Sequence, residues 1–93
     1  MIKGCRDKRT GALFALQAPR GFPSDLVRPA QRKLWRIHTV GRLEDLMVPP
    51  GNRLEALSGD RQGQHSIRIN DQWRICFRWQ DGDAYEVEVT DYH

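Results

Sequence analysis

Three adjacent residues at the end of the sequence, Asp91, Tyr92 and His93, can each exchange a proton or bind a phosphate group. An unperturbed imidazole titrates near neutral pH, at about 6.5. A tyrosine can carry a proton or stack on a base, and an aspartate can orient an imidazole or an arginine. The triplet therefore predicts acid–base chemistry at this end of the chain. The alternative is that these residues only secure the final strand.

Alternation along the predicted strands separates an apolar face from a face rich in arginine. Side chains on a strand point in turn to the two sides of a sheet. In the segment WRICFRW, residues 73–79, the apolar and the arginine side chains therefore face opposite ways. The apolar face is predicted to hold His65, Ile67, Ile69, Trp73, Ile75, Phe77, Trp79, Tyr85, Val87 and Val89. The opposite, uncovered face is predicted to hold Arg68, Arg74, Arg78 and Tyr92.

Arginines beside proton-exchanging groups favour chemistry at a phosphate. The guanidinium group matches phosphate oxygens in a bidentate way. Metal-free RNA cleavage requires a group that takes the proton of the 2′-OH, a group that protonates the 5′-oxygen, and cations around the pentacoordinate phosphate. The alternative is a solvated face on which Arg74 and Arg78 pair with Glu86 and Glu88 across the hairpin.

The segments that must position these residues predict an α+β domain. The expected order is β-α-α-β-β-β-β, with two N-terminal helices on one face of an antiparallel sheet. A first strand is predicted in residues 1–5, a short helix capped by Asp7 or Thr10 in residues 7–16, and a longer helix from Ser24 and Asp25 to about Val40. The later strands are predicted in residues 53–57, 65–69, 73–79 and 84–90, with Asp81-Gly82 at the last turn.

The longer helix carries an apolar face and a basic stripe. Leu26, Ala30, Leu34 and Ile37 recur at helical spacing. Pro29 is incompatible with a helix interior, so the helix either begins near Pro29 or kinks there. Arg28, Arg32 and Arg36 are spaced by four, with Lys33 beside them. The stripe is predicted to bind a polyanionic partner, although charges of this kind are more often simply solvated.

Composition bounds the class of protein. Ninety-three residues predict a single domain covering residues 1–93. Residues 1–47 hold ten Lys/Arg against four Asp/Glu, whereas residues 48–93 hold five Arg against eight Asp/Glu, which favours a polyanionic or acidic partner for the first half. Cys5 and Cys76 are predicted to be free thiols. No secretory signal or membrane-length apolar run is evident, so a cytoplasmic protein without membrane contact is expected.

No metal or cofactor motif is recognisable. The motifs HExxH, P-loop and GxSxG are absent, and the three histidines are too scattered for a convincing metal site. No cofactor is therefore expected. His38 is interpreted as a half-exposed helix residue, and His65 lies at the start of a strand.

Two blocks of the sequence resemble the HigB toxins of the RelE/ParE superfamily of bacterial toxin–antitoxin systems. They are GDRQGQHSIRINDQWRI, residues 59–75, and the final DYH; MIKGCRDKRTGALF also fits. The resemblance implies a microbial-RNase-like fold and a ribosome-dependent endonuclease that cuts mRNA in the decoding site by metal-free 2′-OH attack. It also implies a HigA-like helix-turn-helix antitoxin as partner, and contact with operator DNA only through that antitoxin.

The functional residues of the family carry over unevenly. The family arginine falls on Arg74, and its terminal acid, phenol and imidazole fall on Asp91, Tyr92 and His93. Where the family pattern reads HPLKGDR, this chain has Glu55 at the histidine position and Ser58 at the lysine position. Substrate binding is expected from Glu55, Ser58, Arg61, Arg68 and Arg78. With this resemblance, the basic stripe of Arg28, Arg32, Lys33 and Arg36 is expected to bind ribosomal RNA. Two alternatives remain: a weakened toxin retained as an antitoxin-binding co-repressor, and a ParE-like gyrase poison.

Overall fold

Two helices precede a four-stranded antiparallel sheet in the computed structural model, which describes residues 1–91. The predictions made for Tyr92 and His93 therefore lie outside the described residues. The helices are α1 (Lys8–Phe14) and α2 (Val27–Thr39), and the strands are β1 (Glu55–Ala56), β2 (His65–Arg68), β3 (Trp73–Gln80) and β4 (Asp83–Asp91). The strands are ordered as they are numbered. The predicted α+β class is confirmed. None of the helices in residues 1–91 is long and apolar enough to cross a membrane.

The segment predicted as a first strand is an irregular partner of β4. It forms two isolated parallel bridges, Ile2 with Ala84 and Cys5 with Val87, and is not a regular strand. The backbone N–H of Ala84 donates to Met1 at 2.9 Å, and that of Val87 donates to Gly4 at 3.0 Å. A bend in β4 at Glu86, described below, separates the two bridges.

Local sequence signals explain where both helices begin. The Asp7 carboxylate accepts a hydrogen bond from the backbone N–H of Thr10 at 3.0 Å, which caps α1. Residues Ser24–Leu26 form a 3₁₀ turn, and α2 begins at Val27. Pro29 therefore lies in the first turn of α2, where its missing N–H costs little. The helix begins near Pro29 and not at Ser24.

Both helices cover one face of the sheet. On α2, Ala30, Leu34 and Ile37 are fully buried, as their spacing predicts. They belong to one core together with Leu13, Phe22, Leu26, Val40, Leu46, Ile67, Ile75, Phe77, Ala84, Val87 and Val89. The alternation predicted for β3 is confirmed, because Ile75 and Phe77 are buried in this core and the Arg74 side chain lies on the opposite face of the sheet.

A bulge in β4 corrects the face predicted for Tyr85. The pairing of β3 with β4 shifts between Cys76 and Arg78, and Glu86 adopts a left-handed conformation with φ of 52°. Tyr85 then lies opposite Arg78 and is exposed, whereas Ala84 takes the buried position beside Trp79. Strict alternation places Tyr85 with Val87 and Val89, but the extra residue at the bulge reverses its direction.

Candidate functional site

The sheet face opposite the helices contains a polar cleft of about 270 Å³. It is called the arginine cleft below. Its lining residues come from β1 and the segment before it, from β2 and β3 and from the turn between β2 and β3: Arg53, Glu55, Arg68, Asn70, Asp71, Gln72 and Arg74. The fold therefore brings together three of the predicted site residues, Arg68, Arg74 and Glu55, on one surface.

Arg74 is held in a defined orientation by its neighbours. Its Nε donates to Ser66 Oγ at 2.8 Å, and its Nη2 donates to the carbonyl of Arg53 at 2.8 Å. Its side chain is 14% exposed, and Nη2 lies 3.8 Å from Glu55 Oε2. Within residues 1–91, no hydrogen bond from its Nη1 is observed. The guanidinium is thus positioned before any substrate binds, and it retains donor capacity at the cleft.

The other groups lining the cleft are already partly paired. Arg68 forms an ion pair with Asp71, and its Nε donates to the carbonyl of Asn70 at 3.1 Å. Gln72 Nε2 donates to Asp91 Oδ2 at 2.8 Å. Asp91 pairs with Trp73 at the end of β4. Because Gln72 lines the arginine cleft, its bond to Asp91 links the predicted terminal acid to the rim of the cleft.

A second hollow adjoins the cleft through Glu55. It measures about 260 Å³ and is lined by Glu55, Ala56, Leu57, Ser58 and Arg61. Arg61 donates to Glu88 Oε1 and to Gln64 Oε1, each at 3.1 Å. Ser58 and Arg61, both predicted to bind substrate, therefore lie next to the arginine cleft and share Glu55 with it.

Arg78 lies on the same face but lines neither hollow. Its Nε donates to Glu86 Oε2 at 2.8 Å. This is one of the cross-hairpin pairs expected for a solvated face. The other expected pair is absent from the described residues, since Glu88 pairs with Arg61 and Arg74 lies beside Glu55.

A cysteine lies beneath this polar face. Cys76 is fully buried on β3. Burial raises the pKa of its thiol and is the largest effect on that pKa. Nearby Glu88 also raises that pKa, while Arg61 and Arg74 oppose the shift. The thiol is therefore not a ready nucleophile. Cys5 is also a free thiol, as predicted for both cysteines, and burial followed by Asp7 raises its pKa.

The basic stripe of α2 lies on the helical layer, away from the cleft, and it divides into two parts. Lys33 hydrogen-bonds the side chain of buried Asn52, and Arg36 donates to the carbonyls of Asp45 at 3.1 Å and Val48 at 3.4 Å. These two residues secure the connection that follows α2. Arg28 and Arg32 instead line an apolar groove beside Trp35.

Arg9 and Thr10 are functional candidates that the sequence patterns missed. Thr10 Oγ1 accepts from the N–H of Val89 at 2.9 Å, and Arg9 Nη2 donates to the carbonyl of Val89 at 2.8 Å. The Arg9 guanidinium also lies 5.2 Å from the ring centre of Trp73 and 5.4 Å from that of Phe22. Together they hold β4 two residues before Asp91. Only the placement of α1 against β4 reveals this.

The histidines of the described region have structural surroundings. His65 stacks on Phe77 with ring centres 6.4 Å apart, which places it on the core face. His38 Nδ1 accepts from the N–H of Ile2 at 3.0 Å, so it anchors the N-terminal segment. Within residues 1–91, no group of three or more His, Cys, Asp or Glu is arranged to hold a metal ion.

The fold is shared with a solved structure. The chain superposes on a chain of the YoeB–YefM complex from Staphylococcus aureus with a TM-score of 0.62 and 18% sequence identity. The match covers 100% of this chain and 98% of that chain. The two chains therefore share an α+β fold.

Sequence comparison identifies the family. The family model described as the RelE-like toxin HigB of a type II toxin–antitoxin system matches residues 5–93, and the chain belongs to this HigB-like toxin family. It is 43% identical over 65 residues to Toxin HigB-1 of Vibrio cholerae, covering 70% of this chain and 68% of that protein. It is 35% identical over 97 residues to Endoribonuclease HigB of Proteus vulgaris, covering all of both chains. The resemblance noted in the sequence is thereby confirmed.

Proposed function

We propose that this toxin is a ribosome-dependent endoribonuclease that cuts mRNA in the decoding site and so stops translation. The observation that carries the proposal is the arginine cleft, in which Arg74 is preoriented beside the carboxylate of Glu55. Gln72, which also lines the cleft, hydrogen-bonds Asp91. A relative that is matched over the whole of both chains bears the name endoribonuclease, which supports the same chemistry here.

The proposed reaction is an attack of the 2′-OH on the adjacent phosphate. The O2′–P bond forms, the P–O5′ bond breaks, and the products are a 2′,3′-cyclic phosphate and a 5′-OH. One group must take the proton of the 2′-OH and another must protonate the leaving 5′-oxygen. Arg74 would stabilise the charge that develops on the phosphate oxygens.

We propose the acid–base roles from side-chain chemistry and, for Glu55, also from its position in the cleft. Glu55 borders Arg74 in the cleft, so we propose that its carboxylate takes the 2′-OH proton. The imidazolium of His93 would protonate the 5′-oxygen. Asp91 would orient that imidazole, and Tyr92 would contact the substrate. Ser58, Arg61 and Arg68 would bind the neighbouring phosphates, and Arg78 would contribute once released from Glu86. The scheme uses no metal or cofactor.

The proposed partners follow from the family. A type II toxin has an antitoxin partner, and we propose a HigA-like helix-turn-helix protein through which the complex would contact operator DNA. The proposed substrate is mRNA on the translating ribosome, which places the protein in the cytoplasm. Residues 1–93 would act as one toxin domain.

Primer extension on ribosome-bound mRNA tests the proposal. Purified wild-type chain, ribosomes and a defined mRNA are expected to give new 5′ ends within the decoding site, and mRNA without ribosomes is expected to stay intact. Cleavage independent of ribosomes would contradict the ribosome requirement. No cleavage, with supercoiling by gyrase inhibited, would favour a ParE-like poison. No activity in either assay would favour a co-repressor.

A further inference from the structure

An apolar groove lies on the outer surface of the helices. It has a volume of about 390 Å³ and is lined by Leu16, Arg28, Gln31, Arg32 and Trp35. Leu16 is 78% exposed, the largest exposure among the large apolar side chains of residues 1–91. Trp35 is 59% exposed, about as much as Met47 and Val48. A smaller hollow of about 200 Å³ continues it past Phe14.

Leu16 occupies a position that normally favours glycine. Helix α1 ends with hydrogen bonds from the N–H of Leu16 to the carbonyl of Leu13 and from the N–H of Gln17 to the carbonyl of Ala12. These bonds define a Schellman motif, in which the residue at Leu16 must be left-handed. Its φ is 64°, which is unfavourable for a side chain with a Cβ. The side chain points to solvent, so the fold gains neither conformational ease nor burial from it.

Positive charge flanks the groove. In the described part of the chain, Arg28 and Arg32 have no ion-pair partner, whereas Lys33 and Arg36 are engaged with the loop that follows α2. Burial lowers the pKa of Lys33, and the neighbouring Arg32 and Arg36 lower it further, which reflects the crowding of cations along α2. A partner with carboxylates at the edge of an apolar face would complement this surface.

We propose that this groove binds an acidic amphipathic helix of the antitoxin. Apolar side chains of that helix would cover Leu16 and Trp35, and its carboxylates would pair with Arg28 and Arg32. RNA could stack on Trp35 and contact both arginines, but it would give no role to an exposed aliphatic Leu16 held in an unfavourable conformation. The inference rests on the antitoxin partnership of the proposed function and not on its cleavage chemistry.

The substitution Leu16→Gly separates folding from docking. Glycine tolerates the left-handed conformation. Because the Leu16 side chain is 78% exposed, its removal costs little burial. The variant is therefore expected to melt at an equal or higher temperature than the wild type, while its affinity for the antitoxin falls at least tenfold. Affinity is measured by biolayer interferometry with the purified HigA-like antitoxin partner. Met47→Gly, at an exposed apolar position outside the groove, is the matched control and is expected to bind within twofold of the wild type.

Charge and RNA arms complete the experiment. The double variant Arg28→Gln/Arg32→Gln is expected to bind the antitoxin more weakly at low salt, with a smaller loss at high salt, whereas Arg42→Gln serves as the charge control. Wild-type affinity in Leu16→Gly, Trp35→Ala and the double variant would overturn the proposal. Normal antitoxin binding with weaker ribosome co-sedimentation would overturn it in favour of RNA. Loss of antitoxin binding in these variants would support the groove proposal even if the wild type cuts no mRNA. A failure of the proposed cleavage chemistry is therefore distinguishable from a failure of the groove proposal.

Discussion

At the scale of single residues, Arg74 and Glu55 define what the cleft can do. Arg74 is oriented by Ser66 and by the carbonyl of Arg53, so little reorganisation is needed when charge develops on a phosphate. Glu55 is half-exposed and lies 3.8 Å from Arg74. The same carboxylate can act as a proton acceptor or can weaken the attraction of Arg74 for phosphate, and these two roles predict opposite effects of neutralising it.

Glu55→Gln is expected to lower the single-turnover cleavage rate by about 10²–10⁴, the usual contribution of a general base. The change preserves the size of the side chain and removes its negative charge together with its ability to take a proton. The measurement is cleavage of ribosome-bound mRNA at saturating toxin, with a thermal melt as a folding control. A faster rate in this variant would show that Glu55 attenuates the site and is not the base.

Ser58→Lys is expected to give equal or faster cleavage. Ser58 lines the hollow next to the cleft, together with Arg61, and a lysine there would add one cation for a substrate phosphate. The initial rate at low toxin concentration reports this effect best. A clear loss of activity, without a change in melting temperature, would mean that this hollow does not face the substrate.

At the scale of elements, α1 secures the strand that leads to the proposed site. Thr10 accepts a hydrogen bond from the N–H of Val89, and Arg9 donates one to its carbonyl. The backbone of β4 at Val89 is therefore satisfied by side chains of a helix, whereas Ala84 and Val87 bond the N-terminal segment. The Arg9 guanidinium also contacts Trp73, which pairs with Asp91. Small shifts of α1 would therefore be transmitted to the end of β4.

Thr10→Val is expected to lower the free energy of unfolding by about 1–3 kcal/mol, because it leaves the buried N–H of Val89 without an acceptor. The volume of the side chain is nearly unchanged. Chemical denaturation measures the change, and Thr10→Ser, which keeps the hydroxyl, is the matched control. A larger loss in Thr10→Ser than in Thr10→Val would show that packing of the methyl group, and not the hydrogen bond, holds β4.

Periodicity predicted the elements well because their apolar residues face one core. The buried face of α2 and the alternation of β3 both follow directly from sequence spacing. The direction of the Tyr85 side chain could not be predicted from the sequence. It depends on a β-bulge at Glu86, a backbone conformation that no pattern of residue types indicates. The structural ties of Lys33 and Arg36 were hidden for a related reason. They depend on how the loop around Asn52 returns to α2, which is a long-range contact.

The candidate site was predicted in part. Arg74, Arg68 and Glu55 do share a cleft, since neighbouring strands in register bring their polar faces together. Arg53 was missed because it lies outside a regular element, in a left-handed conformation that no alternation rule covers. Arg9 was missed because its role depends on the tertiary position of α1. The roles of these residues in catalysis stay predictions.

At the scale of the whole molecule, the two layers carry two different surfaces. Helix α2 packs its apolar face on one side of the sheet, and the arginine cleft lies on the other side. The apolar groove occupies the outer surface of the helical layer. The fold can therefore present the proposed nucleic-acid surface and the proposed protein surface at the same time, and substitutions on one are expected to leave the other intact.

Salt dependence tests the charge of the cleft surface. Each phosphate contact to single-stranded RNA contributes about 0.7 to the slope of log affinity against log salt. Arg53→Gln is expected to reduce that slope by about this amount for binding to single-stranded RNA. Arg42→Gln removes a cation that is paired with Glu44 outside the cleft, so its slope is expected to match the wild type. Equal slopes for all three proteins would place the RNA on another surface.

The central claim is that Arg74 stabilises the phosphate during cleavage of mRNA on the ribosome. The direct measurement is the single-turnover rate on purified ribosomes programmed with a defined mRNA, for the wild type, Arg74→Ala and Arg42→Ala. Loss of one preoriented donor predicts a decrease of about 10²–10³ for Arg74→Ala. Arg42→Ala should cut at the wild-type rate, and melting temperatures should show that all three chains are folded. A folded Arg74→Ala variant that cuts as fast as the wild type would contradict the account.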